Sequence, residues 1–337
     1  MNFLLIGGAG YIGANVADLL TRKVTKSSNV VVYDNLTTGF RNSLNKDVNF
    51  VYGDCQDEEK LIQSMKKFSI DFVIHFAASI SISEGNVKPI EYFENNLFGT
   101  IKVLSAMRKT GIKKMIFSST AAVYGNTSGT LLCETTAANP INSYGASKFA
   151  CEKLINFCKQ AYNIDCVILR YFNVAGAGGT DAQLGVWNLK SQLLIPKINS
   201  AIIHNWPIEV FGNDYSETND GTGIRDYVHV SDVAQAHLNS VNWLCQNSCT
   251  ETFNIASGKG YSVLECIGEA EKVLQKKVCV TLSQRRQGEP SILVADISKA
   301  KRLLGWEPTR DLSQMIVTDY FFRKNTLPKL RENTEDC

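Results

Sequence analysis

Strong charge of either sign is missing from this chain. Its 35 basic and 33 acidic side chains leave a net +2 over 337 residues, with no basic run. That balance excludes nucleic acid or an anionic membrane surface as the main partner. No apolar stretch approaches membrane-spanning length, so no membrane partner is expected. The 10 cysteines contain no Cys-x-x-Cys pair and none of the 4 histidines stands at ligand spacing, so no metal site is expected. The apolar run Phe3 to Ile6 follows Met1 almost at once, has no basic leader and is too short for a signal-peptide core. A cytoplasmic protein with reduced thiols is the expectation. Internal repeats and low-complexity segments are absent.

What is present is a globular composition, 44% hydrophobic and 20% charged. The length suits one large or two intimately joined domains with a sizeable core. Phe3-Leu4-Leu5-Ile6 reads as a strand buried on both faces. Gly7-Gly8-Ala9-Gly10-Tyr11-Ile12-Gly13 follows, then the helical pattern Ile12, Val16, Leu19, Leu20. In a strand–glycine turn–helix unit the backbone can approach a pyrophosphate, and the helix start offers free N–H groups and a positive dipole end.

Val30 to Tyr33 is a second strand, ended by Asp34, 21 residues after Gly13. A carboxylate there accepts both adenosine-ribose hydroxyls and repels a 2′-phosphate, which favours NAD over NADP. Val48 to Tyr52 is a third strand, after which Asp54 is placed to reach the adenine amine. Asp71 to Ala78 is a fourth, its small tail leaving room for cofactor across the sheet edge; His75 within it reads as a core histidine. A helical pattern runs from Pro89 to Arg108 and carries Asn95. Met115-Ile116-Phe117 then leads to Ser118, Ser119 and Thr120, hydroxyls at the end of a parallel strand, where ligands bind in such sheets. Alternating strands and helices predict an α/β doubly wound parallel sheet, Rossmann-like.

Asn142-Ser143-Tyr144-Gly145-Ala146-Ser147-Lys148 opens the next helix, with Ser143 as its expected cap. Tyr144 and Lys148 are four apart and share a helical face. A phenol ionises near pH ~10; lowering that to ~7 takes roughly 4 kcal/mol, which a neighbouring ammonium can supply in a partly dry site. Tyr-x-x-x-Lys is thus a compact general base, and also a common pairing on amphipathic helices.

After Val174-Ala175-Gly176 the pattern turns irregular through Asn188, as in a substrate-side loop. Leu193 to His204 reads as helix and Ile208 to Phe211 as strand; Phe211 either packs on a base ring or belongs to the core. Arg225 beside an apolar strand suits a diphosphate, with Arg286 the second candidate, and a surface ion pair is the alternative for each. Ser231 is the expected cap of a helix to Cys245, and Phe253 to Ala256 a strand returning to the first sheet. Ser262-Val263-Leu264-Glu265 is a capping box. The expected division is residues 1–175 plus about 230–256 for the nucleotide and 176–229 plus about 257–325, a smaller interleaved α/β domain, for the substrate, with 326–337 a loose tail.

The glycine motif, Asp34, Ser118 to Thr120 and Tyr144-x-x-x-Lys148 together resemble the extended short-chain dehydrogenase/reductase family. Asn95-Asn96-Leu97-Phe98-Gly99-Thr100, Leu169-Arg170-Tyr171-Phe172-Asn173, Asp220 to Val230 and Arg285-Arg286-Gln287-Gly288-Glu289 are similar to its sugar-nucleotide 4-epimerases, over about Asn2 to Phe322. Dehydratases of the family carry Thr-Asp-Glu before a Val-Tyr-Gly, and decarboxylases a Glu. Here Thr120-Ala121-Ala122 stands there, without the acids those extra proton transfers need.

The resemblance implies a homodimer acting on a UDP-sugar through NAD-dependent oxidation and re-reduction at C4, with Tyr144, Lys148 and Thr120 catalytic. UDP-glucose and UDP-galactose are the expected pair, with UDP-N-acetylhexosamines, UDP-pentoses and UDP-uronates as the alternatives. A non-catalytic NAD sensor would have no need of all three residues. It implies NAD contacts from Gly7, Gly10, Tyr11, Ile12, Gly13, Asp34, Asn35, Asp54, Cys55, Phe76, Ala77, Ala78, Asn95, Ser118, Tyr144, Lys148 and Tyr171. It implies UDP-sugar contacts from Thr120, Tyr144, Asn173, Leu193, Leu194, Phe211, Arg225, Arg286, Glu289 and Leu293. Two positions depart from well-known members: Ile80 replaces a lysine near the pyrophosphate, and Leu193 replaces a polar substrate contact.

Overall fold

The computed structural model describes residues 1–23, 25, 28–127, 131–188, 191–285 and 290–332. Its main sheet has seven parallel strands: β1 (Phe3–Ile6), β2 (Val30–Asp34), β3 (Asn49–Tyr52), β4 (Phe72–His75), β5 (Lys114–Thr120), β6 (Asp165–Tyr171) and β10 (Glu251–Ile255). They lie in the order β3-β2-β1-β4-β5-β6-β10, so the chain runs outward to β3 and turns back at the β1/β4 boundary. That boundary is the topological switch point, where open α/β sheets form a crevice. β1, β2 and β4 are buried along their whole length, which is why their sequences run apolar without alternation.

Successive residues point to opposite faces. Leu5, Val32 and Ile74 pack beneath α1 (Tyr11–Lys23) and α8 (Val230–Gln246); Leu4, Val31 and Val73 pack beneath α2 (Glu58–Lys67), α5 (Gly99–Thr110) and α6 (Ser143–Tyr162). After the short α3 (Ile82–Val87), the Pro89 to Arg108 pattern forms α4 (Pro89–Phe93), a π turn (Glu94–Phe98) and α5. Ala300, Leu304 and Trp306 join the α1/α8 core from late in the chain.

A second sheet holds β7 (Asn173–Ala175), β9 (Ile224–His229), β11 (Gly260–Ser262) and β13 (Ile292–Leu293), and β8 (Ile208–Phe211) pairs with β12 (Val280–Ser283). A further core forms between α7 (Leu194–His204), α9 (Val263–Leu274) and α10 (Leu312–Phe321). The capping box Ser262/Glu265 starts α9 with both reciprocal bonds made.

Three expectations are corrected. Asn142, not Ser143, caps α6: it is extended and its side chain accepts from Gly145 N at 2.8 Å, while Ser143 is already helical. His229, not Ser231, caps α8, its Nδ1 accepting from Ser231 N at 3.0 Å. Residues placed in the loose tail include a helix, α11 (Leu327–Glu332), anchored by buried Leu327 against Ala177 and Phe322.

Candidate active site

The glycine turn leaves β1 at the switch point. Gly7 has φ 77°, and a Cβ on it would stand 2.5 Å from Ala77 N, so only glycine lets the turn touch the chain leaving β4. Gly10 then leads into α1, whose first-turn amides at Tyr11, Ile12 and Gly13 lie too early for intrahelical partners. Tyr11 donates to Gly176 O at 2.5 Å, tying the turn to the loop after β7. Asp34 ends β2 nearly buried, accepting from Ala9 N at 2.9 Å and Leu36 N at 2.8 Å. Burial raises its pKa, and the two amide bonds oppose that.

Asn35 donates to Asp54 at 2.8 Å beside it, and Cys55 is a buried thiol pushed up to about 12 by burial and by Asp54. Phe76, Ala77 and Ala78 continue from β4 across this turn, Phe76 packing on the His237 ring. These residues form a cradle of small side chains, free helix-start amides and one carboxylate. That set fits a dinucleotide without a 2′-phosphate.

β5 and α6 build the second part. Gly145 presses against the turn after β5, where a Cβ would stand 2.4 Å from Ala122 O. This contact brings Tyr144 to Thr120. The Thr120 hydroxyl accepts from Ala122 N at 3.1 Å, which leaves its own proton to donate to the Tyr144 oxygen. Burial nevertheless pushes the Tyr144 phenol up to about 12. Lys148 Nζ donates to Ser118 O at 2.8 Å and lies 4.7 Å from the Phe117 ring centroid. The expected charge beside the phenol is therefore directed at a strand carbonyl instead, and burial pushes Lys148 itself down to about 8. Tyr171 is buried; its hydroxyl bonds His237 Nε2 at 2.7 Å and the Ser118 side chain. Asn95 sits in the π turn and donates to Ser79 Oγ at 3.1 Å; neighbouring Ile80 is exposed.

On the substrate side, Asn173, Leu193 and Leu194 line one cleft with Ala175, Pro196 and Tyr227. Leu193 precedes α7 with an extended backbone. Arg225 on β9 lies between Tyr261 of β11 and Leu293 of β13, its guanidinium donating to Ile224 O at 2.9 Å and Ser291 O at 3.4 Å. Leu293 packs against a cluster that includes Ala121, Tyr124, Leu132, Phe172, Ala295 and Ile297. Phe211 is partly buried on the separate β8/β12 pair, opposite Ser283. Arg286 and Glu289 lie outside the described residues.

Sequence reasoning passed over several residues that hold this site. Asn96, buried, ties Ser79 N at 2.7 Å to the Ser147 hydroxyl of α6 at 3.0 Å. His237 is the Tyr171 partner. Glu152 and Arg170 form a buried pair behind Ser119. Glu152 had a signal, four residues beyond Lys148; the others are visible only once the chain is folded.

Over almost its whole length the chain is similar to known proteins. Residues 4–318 match the family described as GDP-mannose 4,6 dehydratase. The UDP-glucose 4-epimerase of Streptococcus mutans is 40% identical over 331 residues, 98% of each chain. The solved UDP-glucose 4-epimerase of Brucella ovis, in complex with NAD, is 37% identical with a TM-score of 0.89, over 95% of this chain and 98% of that one. That of Stenotrophomonas maltophila, with bound NAD and formylated UDP-arabinopyranose, is 32% identical with a TM-score of 0.91 over 100% of both. With a sheet that turns back at β1/β4 and relatives 40% and 37% identical over almost the whole chain, the chain belongs to the UDP-glucose 4-epimerase family of extended short-chain dehydrogenases/reductases.

Proposed function

We propose that the protein interconverts UDP-glucose and UDP-galactose by oxidising sugar C4 and reducing it again from the opposite side. The observation that carries this is the Thr120–Tyr144 contact followed by Ala121 and Ala122, so that neither of the two residues after Thr120 is an acid. A dehydratase or decarboxylase needs that acid; oxidation and reduction at one carbon does not.

NAD, when bound, supplies the oxidant for C4 and a positive ring whose field favours the Tyr144 phenolate. Gly7, Gly10, Tyr11, Ile12 and Gly13 would hold its pyrophosphate, Asp34 and Asn35 its adenosine ribose, Asp54 and Cys55 its adenine side, and Lys148 its nicotinamide ribose. Phe76, Ala77, Ala78, Asn95, Ser118 and Tyr171 complete its walls. Tyr144 takes the proton of the sugar 4-hydroxyl, Thr120 bridging the two oxygens, and C4 becomes a carbonyl. The 4-keto sugar turns over in the pocket while Arg225 and Arg286 grip the diphosphate and Phe211 faces the base. Tyr144 then returns its proton to the re-formed alcohol. Asn173, Leu193, Leu194, Glu289 and Leu293 line the sugar and nucleotide path, and Leu193 contributes through its backbone amide.

The test is to incubate purified protein with several UDP-sugars and follow interconversion without added NADH. Interconversion is expected for the hexose pair. A dehydrated product, or no product from a protein that retains NAD, overturns the reading.

The same reading makes the protein a cytoplasmic homodimer joined through the helices that carry Asn95 and Lys148. Ile90 is 70% exposed, Ile101 40% and Phe157 66%, an apolar set on α4, α5 and α6 that a second copy would cover. The described cysteines are free thiols, in keeping with a reducing compartment. Sedimentation should give twice the monomer mass; a monomer at micromolar concentration sinks the dimer.

A further inference from the structure

Tyr144, Lys148 and Glu152 stand at four-residue steps along α6, and they meet three consecutive residues of β5. Tyr144 stands beside Thr120, and Lys148 Nζ donates to Ser118 O. Between them, Ser119 Oγ donates to Glu152 Oε1 at 2.5 Å. Arg170, register partner of Ser119 on β6, closes the far side: its Nε donates to Oε1 at 3.0 Å and its Nη2 to Oε2 at 2.6 Å. Glu152 is 3% exposed, Ser119 2% and Arg170 6%. The guanidinium lies 4.9 Å from the Tyr124 ring centroid, and Tyr124 in turn donates to Asn254 at 2.7 Å.

A buried ion pair is a poor device for stability alone. Desolvation offsets most of the attraction, and apolar side chains of similar volume often do as well. Its directional bonds do what apolar packing cannot, which is to fix one rise and one rotation of a helix on a strand. Ser119 lies between the two β5 residues that Lys148 and Tyr144 address, so a slip of α6 would break both contacts together.

We propose that Glu152 is a positioning residue: clamped between Ser119 and Arg170, its carboxylate holds α6 on β5 so that Tyr144 meets Thr120 and Lys148 meets Ser118. This rests on the epimerase reading for its effect on turnover. A second consequence does not. Lys148 is faced by Cys151 and Glu152 of its own helix, Cys55 from beyond β3, His75 of β4 and the Phe117 ring of β5. Burial keeps both thiols protonated, and His75 stays neutral down to about 3. Glu152 is thus the charged neighbour of Lys148 among these described groups, and it supports the ammonium against burial. Glu152→Gln keeps the shape and removes that support, so Lys148 must lose its proton at lower pH.

The experiment uses the holoenzyme. Turnover of UDP-galactose is measured over roughly pH 6–10 for wild type, Glu152→Gln, Glu152→Asp and Ser119→Ala. Lys148 is titrated by NMR in wild type and Glu152→Gln labelled with 13C-lysine, with Lys148→Arg assigning the signal. Glu152→Gln should lower kcat ~10-fold or more at a KM within about twofold, and should move the basic limb and the Lys148 titration down together. Glu152→Asp should restore the limb but not kcat. Ser119→Ala should lower kcat several-fold with the limb in place.

A Glu152→Gln protein with wild-type kcat and limb overturns the proposal. So does one that loses kcat through NAD release and lower Tm with Lys148 titrating unchanged. Should Glu152→Gln not fold, Ser119→Ala decides, and unchanged kcat there overturns the clamp. If wild type turns over no UDP-sugar, the epimerase reading fails separately, and the Lys148 titration alone carries or overturns the clamp.

Discussion

Lys148 Nζ bonds the carbonyl oxygen of Ser118 at 2.8 Å, although Tyr144 stands one turn before it on the same face of α6. Helical spacing fixes where two side chains start, and the long arm of lysine decides where its charge ends. The phenol is consequently governed by burial and by Thr120, and sits at about 12. Bringing it to ~7 takes about 7 kcal/mol, against roughly 4 for an ordinary phenol. One hydrogen bond from Thr120 supplies only ~1–3 of that. On the proposed reading the remainder comes with the oxidised cofactor, so the base would become strong only when the site is loaded.

Tyr144→Phe tests this directly. It deletes one oxygen and leaves the ring packing, so NAD and UDP-sugar binding should change less than about threefold. Turnover should fall by ~10²–10⁴, the usual worth of a positioned acid–base. Wild-type turnover in the Phe variant would remove Tyr144 from the mechanism.

On the proposed reading, cofactor choice rests on Asp34. Its carboxylate is held in place by the Ala9 and Leu36 amides, and a 2′-phosphate would bring like charge against a nearly buried oxygen. Calorimetric titration of emptied protein should show NAD binding at least ~10-fold more tightly than NADP. Equal affinities would mean that Asp34 does not read the ribose.

The glycine turn, Asp34 and the Ser118-Ser119-Thr120 run could be read in the sequence because each depends on local backbone geometry and on strand order. Caps were harder. Asn142 and Ser143 are both good caps, and only the dihedral angles separate them. His229 took the capping place from Ser231 because its ring nitrogen reaches an amide two residues on. The Glu152–Arg170 clamp was half legible: the helical step from Lys148 was there, but the strand pairing that sets Arg170 opposite Ser119 joins distant parts of the chain.

Three buried histidines set an acid limit on stability. His75 and His229 are held down to about 3 and His237 to about 4, chiefly by burial. His229 Nδ1 accepts from Ser231 N, and His237 Nε2 accepts from the Tyr171 hydroxyl while its Nδ1 donates to Val233 O. A protonated ring cannot accept, so His229 and His237 must stay neutral in the fold, while it is chiefly burial that keeps His75 neutral. The unfolded chain takes up these protons below pH ~6.5, and the folded chain does not until pH ~3–4. Stability should therefore fall as pH drops from ~6.5, by roughly 1.4 kcal/mol per pH unit for each histidine. Urea unfolding at pH 7, 6 and 5 should show the decline, reduced below pH 6 by Asp226, whose carboxyl burial raises to about 6 and which acts in the opposite direction. NMR titration of the rings decides the cause, and rings charged at pH 5 in the folded protein would remove this acid limit.

Substrate size is decided, on this reading, at Leu293. β13 pairs it with Arg225, and its side chain packs against a cluster that includes Ala121, Tyr124, Leu132, Phe172 and Ala295, the first of these next to Thr120. A tyrosine there would fill more of the sugar space and add a hydroxyl; a serine would leave a gap the size of an N-acetyl methyl. Leucine lies between them. An apolar wall that differs by a few methylenes discriminates by only ~1–3 kcal/mol. UDP-glucose and UDP-galactose should thus be the faster pair, with the N-acetylated pair turned over at roughly a tenth to a hundredth of that rate. Leu293→Tyr should cut N-acetylated turnover far more than hexose turnover, and Leu293→Ser should raise it. The ratio of the two kcat/KM values is the quantity to follow, since loss of packing would lower both together. If that ratio stays fixed in both variants, Leu293 is a core residue of β13, and the gate must lie elsewhere along the cleft of Asn173, Leu193 and Leu194.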